Sequence, residues 1–166
     1  QLSKLDVVDV LDEASTGLLL FSQDGRVATC VSRDPQLDKE YKIISTGEAT
    51  PSQLQALKLS LSMVCSAVKV DLEKNYVPRA QKAKAKDLPE ETKPTESSTI
   101  RVVLCGLVTS SAIRQMCAQA GILPYSISRL RIGGISLGDL TPGQWTVIPC
   151  VDELLLHYKP DSVRDS

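Results

Sequence analysis

The sequence predicts an α+β fold: a largely antiparallel mixed sheet with flanking helices. Three observations carry this. Runs of β-branched and apolar residues recur at strand length, as in Ile100 to Val108. Two segments, opening near Thr50 and Ser110, join helix-start residues to apolar side chains spaced three and four apart. Strands and helices do not alternate as regular βαβ units, which argues against a doubly wound parallel sheet. With 166 residues, 42% of them hydrophobic, the chain fits one domain with a core able to stand alone.

Taken in order, Leu18 to Phe21 and Arg26 to Val31 read as two short strands. Asp24-Gly25 between them reads as a hairpin turn, because glycine accepts the positive φ of tight turns. After Pro35, Lys39 to Ser45 reads as a strand with Tyr41, Ile43 and Ser45 on one face. Thr50-Pro51-Ser52-Gln53 carries a cap, a first-turn proline and a capping-box glutamine. Leu54, Leu57, Leu61, Val64 and Val68 follow at helical spacing, the pattern of a core-facing amphipathic helix.

From Glu73 to Ser98 lysine, proline, glutamate, serine and threonine dominate, and residues 86–98 read as a loop insertion. Lys82, Lys84 and Lys86 alternate and would share one side of an extended strand, more simply a solvated face than a phosphate contact. Ile100 to Val108 reads as a strand. Ser110 to Ala120 reads as a helix capped by Ser110 or Ser111, with Ile113, Met116, Cys117 and Ala120 on one face and Gly121 as its stop. Ile127 to Ile132 and Thr146 to Cys150 read as strands around a Gly-rich turn region, and Asp152 to Tyr158 as a short helix. The domain is expected over residues 1–158, with a tail over 159–166.

No apolar run approaches the roughly 18 residues needed to span a bilayer. The five cysteines are scattered and the single histidine, His157, stands apart from them. Spacing therefore argues against a metal site, and apolar-flanked thiols suit an intracellular protein. The net charge of −1 is low for a dedicated nucleic-acid binder, so RNA contact would need a local basic face or a partner.

Two distant segments carry the functional signal. The first runs Leu11-Asp12-Glu13-Ala14-Ser15-Thr16-Gly17-Leu18-Leu19-Leu20, with Asp24-Gly25 shortly after. The second runs Arg129-Leu130-Arg131-Ile132-Gly133-Gly134-Ile135-Ser136-Leu137-Gly138-Asp139-Leu140-Thr141-Pro142-Gly143-Gln144-Trp145. Alone, an aspartate before an apolar strand is more often a cap or turn residue than a catalyst. Together the segments resemble the RsuA-type family of ribosomal RNA pseudouridine synthases, whose patterns read G-R-L-D-x-x-T-x-G-L-L-L-x-x-x-D-G and R-x-x-I-G-x-x-x-L-G-x-L-x-P-G. The resemblance implies a pseudouridine synthase-like sheet with a central cleft. It also implies isomerisation of uridine to pseudouridine in RNA, without a cofactor.

The family's nucleophilic aspartate falls on Asp12. A carboxylate can attack the sugar or start elimination, provided it is ionised and largely dry, and the target base must leave its stack. Tyr41, in Lys39-Glu40-Tyr41, resembles the K-x-Y strand whose tyrosine packs on the flipped base. The simpler reading is a tyrosine packed in the sheet. Arg114, in Ile113-Arg114-Gln115-Met116, resembles the end of the family's R-Q-I-R-R-M helix, where a cation would hold Asp12 ionised. Arg129, Arg131 and Lys39 are the residues expected on RNA; Arg129 and Arg131 alternate, so both would face phosphate.

The chain also departs from the pattern. The glycine and arginine of G-R-L-D are Asp9 and Val10, and the R-Q pair before I-R is Ser111-Ala112. These losses motivate a second reading: a catalytically degenerate relative that binds RNA or assists ribosome assembly. The partners implied are ribosomal RNA or a precursor particle, with proteins of ribosome assembly and without a membrane. The compartment implied is the cytoplasm or an organelle such as the mitochondrion.

Overall fold

A computed structural model describes residues 5–73 and 97–148. The lysines at 82, 84 and 86, the insertion up to residue 96, the helix expected over Asp152 to Tyr158 and the tail after 158 lie outside the described residues. So do residues 149–150 of the last expected strand.

The sheet forms around β4 (Asp38–Thr46), whose side chains alternate between buried and half-buried along nearly its whole length. Its neighbour β6 (Ser97–Cys105) pairs antiparallel with it from Asp38↔Cys105 to Thr46↔Ser97. On its other side lies β7 (Leu123–Ile132), also antiparallel. The strand β5 (Ala67–Glu73) closes one edge against β6. The opposite edge holds β2 (Ser15–Gly17), parallel to β7, and β8 (Ile135–Ser136), antiparallel to β7. Among the described residues the order is β2-β7-β4-β6-β5 with β8 beside β7, so the α+β expectation holds; of the pairings between these strands only β2–β7 is parallel. A separate ribbon joins β1 (Asp6–Val7) to β3 (Phe21–Ser22).

One sheet face is apolar. Tyr41, Ile43, Ile100, Val102, Leu104 and Ile127 pack there against Leu57 and Leu61 of α2 (Pro51–Ser62) and Ile113 and Cys117 of α3 (Ser110–Gln119). Thr50 caps α2 with the expected capping box. Its Gln53 amide reaches on to donate to the carbonyl of Gly121 at 2.7 Å, just past α3. A second cluster joins Val8, Leu18, Leu20, Leu37, Ile132 and Ile135 to Val27 and Val31 of α1 (Gly25–Arg33).

Several expectations about the elements are corrected. Leu18 to Leu20 lie outside the strands, and of Leu18 to Phe21 only Phe21 is in one, β3. Arg26 to Val31 is helical, not a strand: Asp24 accepts from the backbone N–H of Arg26 as an N-cap, and Val27, Cys30 and Val31 are buried at helical spacing. An Asp-Gly pair serves a hairpin turn or a helix start equally well, and the burial of that stripe decides. The helix α2 stops at Ser62, and Val68 belongs to β5, where it pairs with Leu104. Residues 97–98, placed in the insertion, begin β6. Thr146 to Ile148 pair with no described strand. A turn closed by the Gln144 N–H on the Thr141 carbonyl precedes them, and Trp145 and Val147 lie exposed.

Candidate active site

Asp12 sits on a loop between β1 and β2 that is held at several points. At its base, the Val8 N–H donates to the Leu20 carbonyl at 2.9 Å. Near its middle, the Asp12 N–H donates to Ser110 Oγ at 3.1 Å. Thr109, not Ser110 or Ser111, caps α3. That leaves the Ser110 hydroxyl, at the first helical position, available to the loop. Arg114 stands one turn further on, on the same face of α3. Its Nη2 donates to the Ala14 carbonyl at 2.8 Å and to Ser15 Oγ at 3.1 Å, and its Nε faces Asp12 Oδ2 at 3.5 Å.

The other carboxylate oxygen of Asp12, Oδ1, is buried and accepts no formed hydrogen bond among the described residues. Burial pushes the Asp12 pKa up. The Ser15 hydroxyl, the charge and hydrogen bond of Arg114, and the Ser110 hydroxyl outweigh that, so the net shift is below the ordinary carboxylate value. Asp12 is thus an ionised acid with one oxygen steadied by a cation and one unengaged. It lines an open cleft of about 340 Å³ with the apolar Val7, Val10, Leu11 and Leu19, with Gly17, and with the polar Glu13, Ser15 and Thr16, a volume within the small-ligand range of roughly 300–1,000 Å³. A second hollow, along Leu140 and Gly143 to Thr146, is larger but holds no titratable side chain.

Gly17 sets the far wall. Its φ of +106° is one that L side chains rarely adopt, and a Cβ there would collide with the Arg129 backbone. Only glycine lets β2 come this close to β7, with the Leu18 N–H donating to the Arg129 carbonyl at 2.8 Å.

The six residues singled out in the sequence fall into four places. Asp12 and Arg114 meet. Tyr41 lies in the core at 1% exposure, in the cluster on which Leu11 packs. Burial pushes its phenol pKa up, against the charge and hydrogen bond of Arg129. Lys39 and Arg129 are also buried, at 4% and 1% exposure, and both bond to Asp9 Oδ2 at 2.8 Å.

Arg131 does not share a side with Arg129. The pairing shifts between Glu40↔Arg131 and Tyr41↔Arg129, so Leu130 is skipped and the two-residue alternation breaks. Arg131 instead pairs with Asp38 at 2.6 Å and Glu40 at 3.1 Å, which raises its pKa through the Asp38 bond first. Glu40 also meets Arg101, which reaches Glu73. That side of the sheet is an ion-pair ladder across β7, β4, β6 and β5.

Sequence reasoning missed Ser110, Ser15 and Asp9. Ser110 had a legible signal, its spacing of four from Arg114. Asp9 had none, since its partners are far away in sequence.

No protein-family model matches the chain. A curated relative, the ribosomal large subunit pseudouridine synthase E of Xanthomonas campestris pv. campestris, is 31% identical over 145 residues, covering 82% of this chain and 73% of the relative. A solved structure described as a pseudouridylate synthase superposes with a TM-score of 0.54 at 18% identity, over 82% of this chain and 52% of the other, a likeness of fold. The chain spans about half the length of that structure. The relative's identity and coverage, with the fold, place this chain in the RsuA-type family of pseudouridine synthases.

Proposed function

We propose that the protein isomerises uridine to pseudouridine in ribosomal RNA, with Asp12 as nucleophile or base. The observation that carries this reading is the state of Asp12: ionised, with one oxygen facing Arg114 and the other accepting no formed hydrogen bond, on the wall of an open cleft. A nucleophilic carboxylate needs its lone pair unspent and its environment drier than bulk water. The name of the Xanthomonas relative supports ribosomal RNA as the substrate class.

In this mechanism an everted uridine enters the cleft, and the Asp12 side chain, 23% exposed with Oδ1 buried, turns to present that oxygen to the sugar. Arg114 holds Oδ2, keeping the acid ionised while it attacks or starts elimination. The bond from the sugar carbon to the uracil nitrogen breaks as Asp12 bonds that carbon or takes the neighbouring sugar proton. The uracil anion turns and bonds the sugar through its carbon five, and Asp12 leaves or returns the proton. Carbon five then loses its proton and the freed nitrogen gains one, so product and reactant are isomers. The apolar wall of Val7, Val10 and Leu19 shields the step from water. Tyr41 is the proposed stacking partner beneath the loop. Its low exposure means the ring must be uncovered when RNA binds. Of the three cations expected on RNA, Arg131 reaches phosphate in this proposal by exchanging its carboxylate partners, whereas Lys39 and Arg129, at 4% and 1% exposure, stay on Asp9.

A second reading, a relative without turnover that binds RNA or a ribosomal precursor, is favoured by Val10. This residue replaces the motif arginine and is 70% exposed at the cleft. The two separate by product. Treat ribosomal RNA with the protein, digest it to nucleosides and resolve pseudouridine from uridine by chromatography. New pseudouridine supports the enzyme. Bound RNA without any supports the second reading.

A further inference from the structure

We infer that Asp9 is a positioning residue for Asp12, acting through the buried cations Lys39 and Arg129; the inference deepens the reading of Asp12 given above. Asp9 Oδ2 accepts from Lys39 Nζ and from Arg129 Nη1, each at 2.8 Å. The Asp9 backbone carbonyl accepts from Arg129 Nη2 at 2.8 Å. The same guanidinium donates from Nε to the Leu18 carbonyl at 2.9 Å. One planar fork therefore ties the chain before Asp12 to the chain after it. A lysine ammonium could not satisfy all three directions at once.

The pin stands where leverage on Asp12 is greatest. The Val8–Leu20 bond closes the base of the loop, and Asp9 and Leu18 lie just inside that closure. The outer part is held by Ser110 and Arg114 from α3. The inner pin belongs to the sheet and the outer one to a helix, so together they fix the loop against two elements. Arg129 and Lys39 are almost fully desolvated, and Asp9 is the carboxylate both of them bond. Neutralising Asp9 leaves two buried like charges that can be relieved only by moving toward water. The segment that yields is the loop, since Lys39 and Arg129 are fixed in paired strands. The contact between Asp12 and Arg114 is already 3.5 Å long, so a small displacement breaks it.

The test uses the full chain and Asp9→Asn, which keeps size and removes charge. Lys69→Gln, which breaks the exposed Lys69–Asp71 pair, controls for loss of any ion pair. The first readout is the titration of the Asp12 carboxyl by carbon NMR. In Asp9→Asn its pKa rises toward the ordinary carboxylate value, and in Lys69→Gln it does not. The second is tritium release from uracil-labelled ribosomal RNA, where kcat falls by about 100-fold while KM stays within about twofold, the signature of a misplaced reacting group.

If Asp9→Asn does not fold, Arg129→Lys keeps the charge, loses the fork and gives the same upward shift of Asp12. The titration needs no turnover, so a wild-type protein that makes no pseudouridine sinks the enzyme reading and leaves this one decidable. An Asp12 titration unchanged in both variants overturns the inference. So does an Asp9→Asn protein that binds RNA more tightly at unchanged kcat, for then Asp9 merely masks two cations.

Discussion

Replacing Arg114 by glutamine tests the coupling between the helix and the acid. The substitution deletes a contact at 3.5 Å to Asp12 and bonds at 2.8 Å to the Ala14 carbonyl and 3.1 Å to Ser15 Oγ. Two unit charges at that separation attract by about 5 kcal/mol at an effective dielectric near 20. Both side chains keep about a quarter of their surface in water, 26% and 23%. Screening therefore cuts the pair to about 1 kcal/mol. The two remaining bonds add about 1 kcal/mol each, partly recovered by water. The expected loss of stability is thus about 2 kcal/mol at pH 7, read as a shift in the urea midpoint at constant slope.

The pH dependence carries the sharper signature. The Asp12 pKa is lowered in the folded protein, so its contribution to stability is complete above the ordinary carboxylate pKa and is lost as pH falls through the lowered value. Without Arg114, burial still raises the pKa and only the serine hydroxyls oppose it. The acid limb of both stability and activity moves to higher pH. Turnover on ribosomal RNA falls by roughly 100-fold from misalignment and the lost charge. An Arg114→Gln protein with the wild-type acid limb and wild-type turnover refutes the reasoning, even if its urea midpoint drops.

Three further outcomes follow from the packing. Gly17→Ala meets both a positive φ and the Arg129 backbone, so it costs about 3 kcal/mol by chemical denaturation; a near-neutral result contradicts the described β2–β7 approach. Tyr41→Phe keeps the ring and removes a buried hydroxyl beside Arg129. Stability falls by about 1 kcal/mol and RNA affinity is retained in a filter-binding assay; a large loss of affinity shows that the hydroxyl, not the ring, meets RNA. Cys117, whose thiol is pushed up to about 12 by burial, resists iodoacetamide at pH 8 in the folded protein, as mass mapping of the modified peptides will show.

The legible parts of the fold were those whose signal is local. The Thr50–Gln53 capping box, the alternation along Lys39 to Ser45 and the stripe of Ile113 and Cys117 all specify geometry within one element, and the structure has them. The helix over Gly25–Arg33 was misread because Asp24-Gly25 is ambiguous, and Val27, Thr29 and Val31 also satisfy a period of two. The end of α2 was misread because Val64 and Val68 extend the helical spacing by coincidence. A strand at 67–73 is stabilised by β6, which begins at residue 97.

The candidate site shows the same division. Asp12 and Arg114 were found through motif register, and the structure brings them together. Whether Lys39 and Arg129 face outward was not legible. That depends on Asp9 and on the register shift opposite Leu130, which only long-range pairing determines.

The most direct measurement is tritium release from ribosomal RNA labelled at carbon five of uracil, for the wild-type protein and Asp12→Asn side by side. Asp12 as nucleophile or base predicts time-dependent release by the wild type and none above background from the variant, with RNA affinity matched and stability lowered only by the lost Asp12–Arg114 pair, about 1 kcal/mol. Equal release by both, or none from a wild-type protein that binds the RNA, contradicts it.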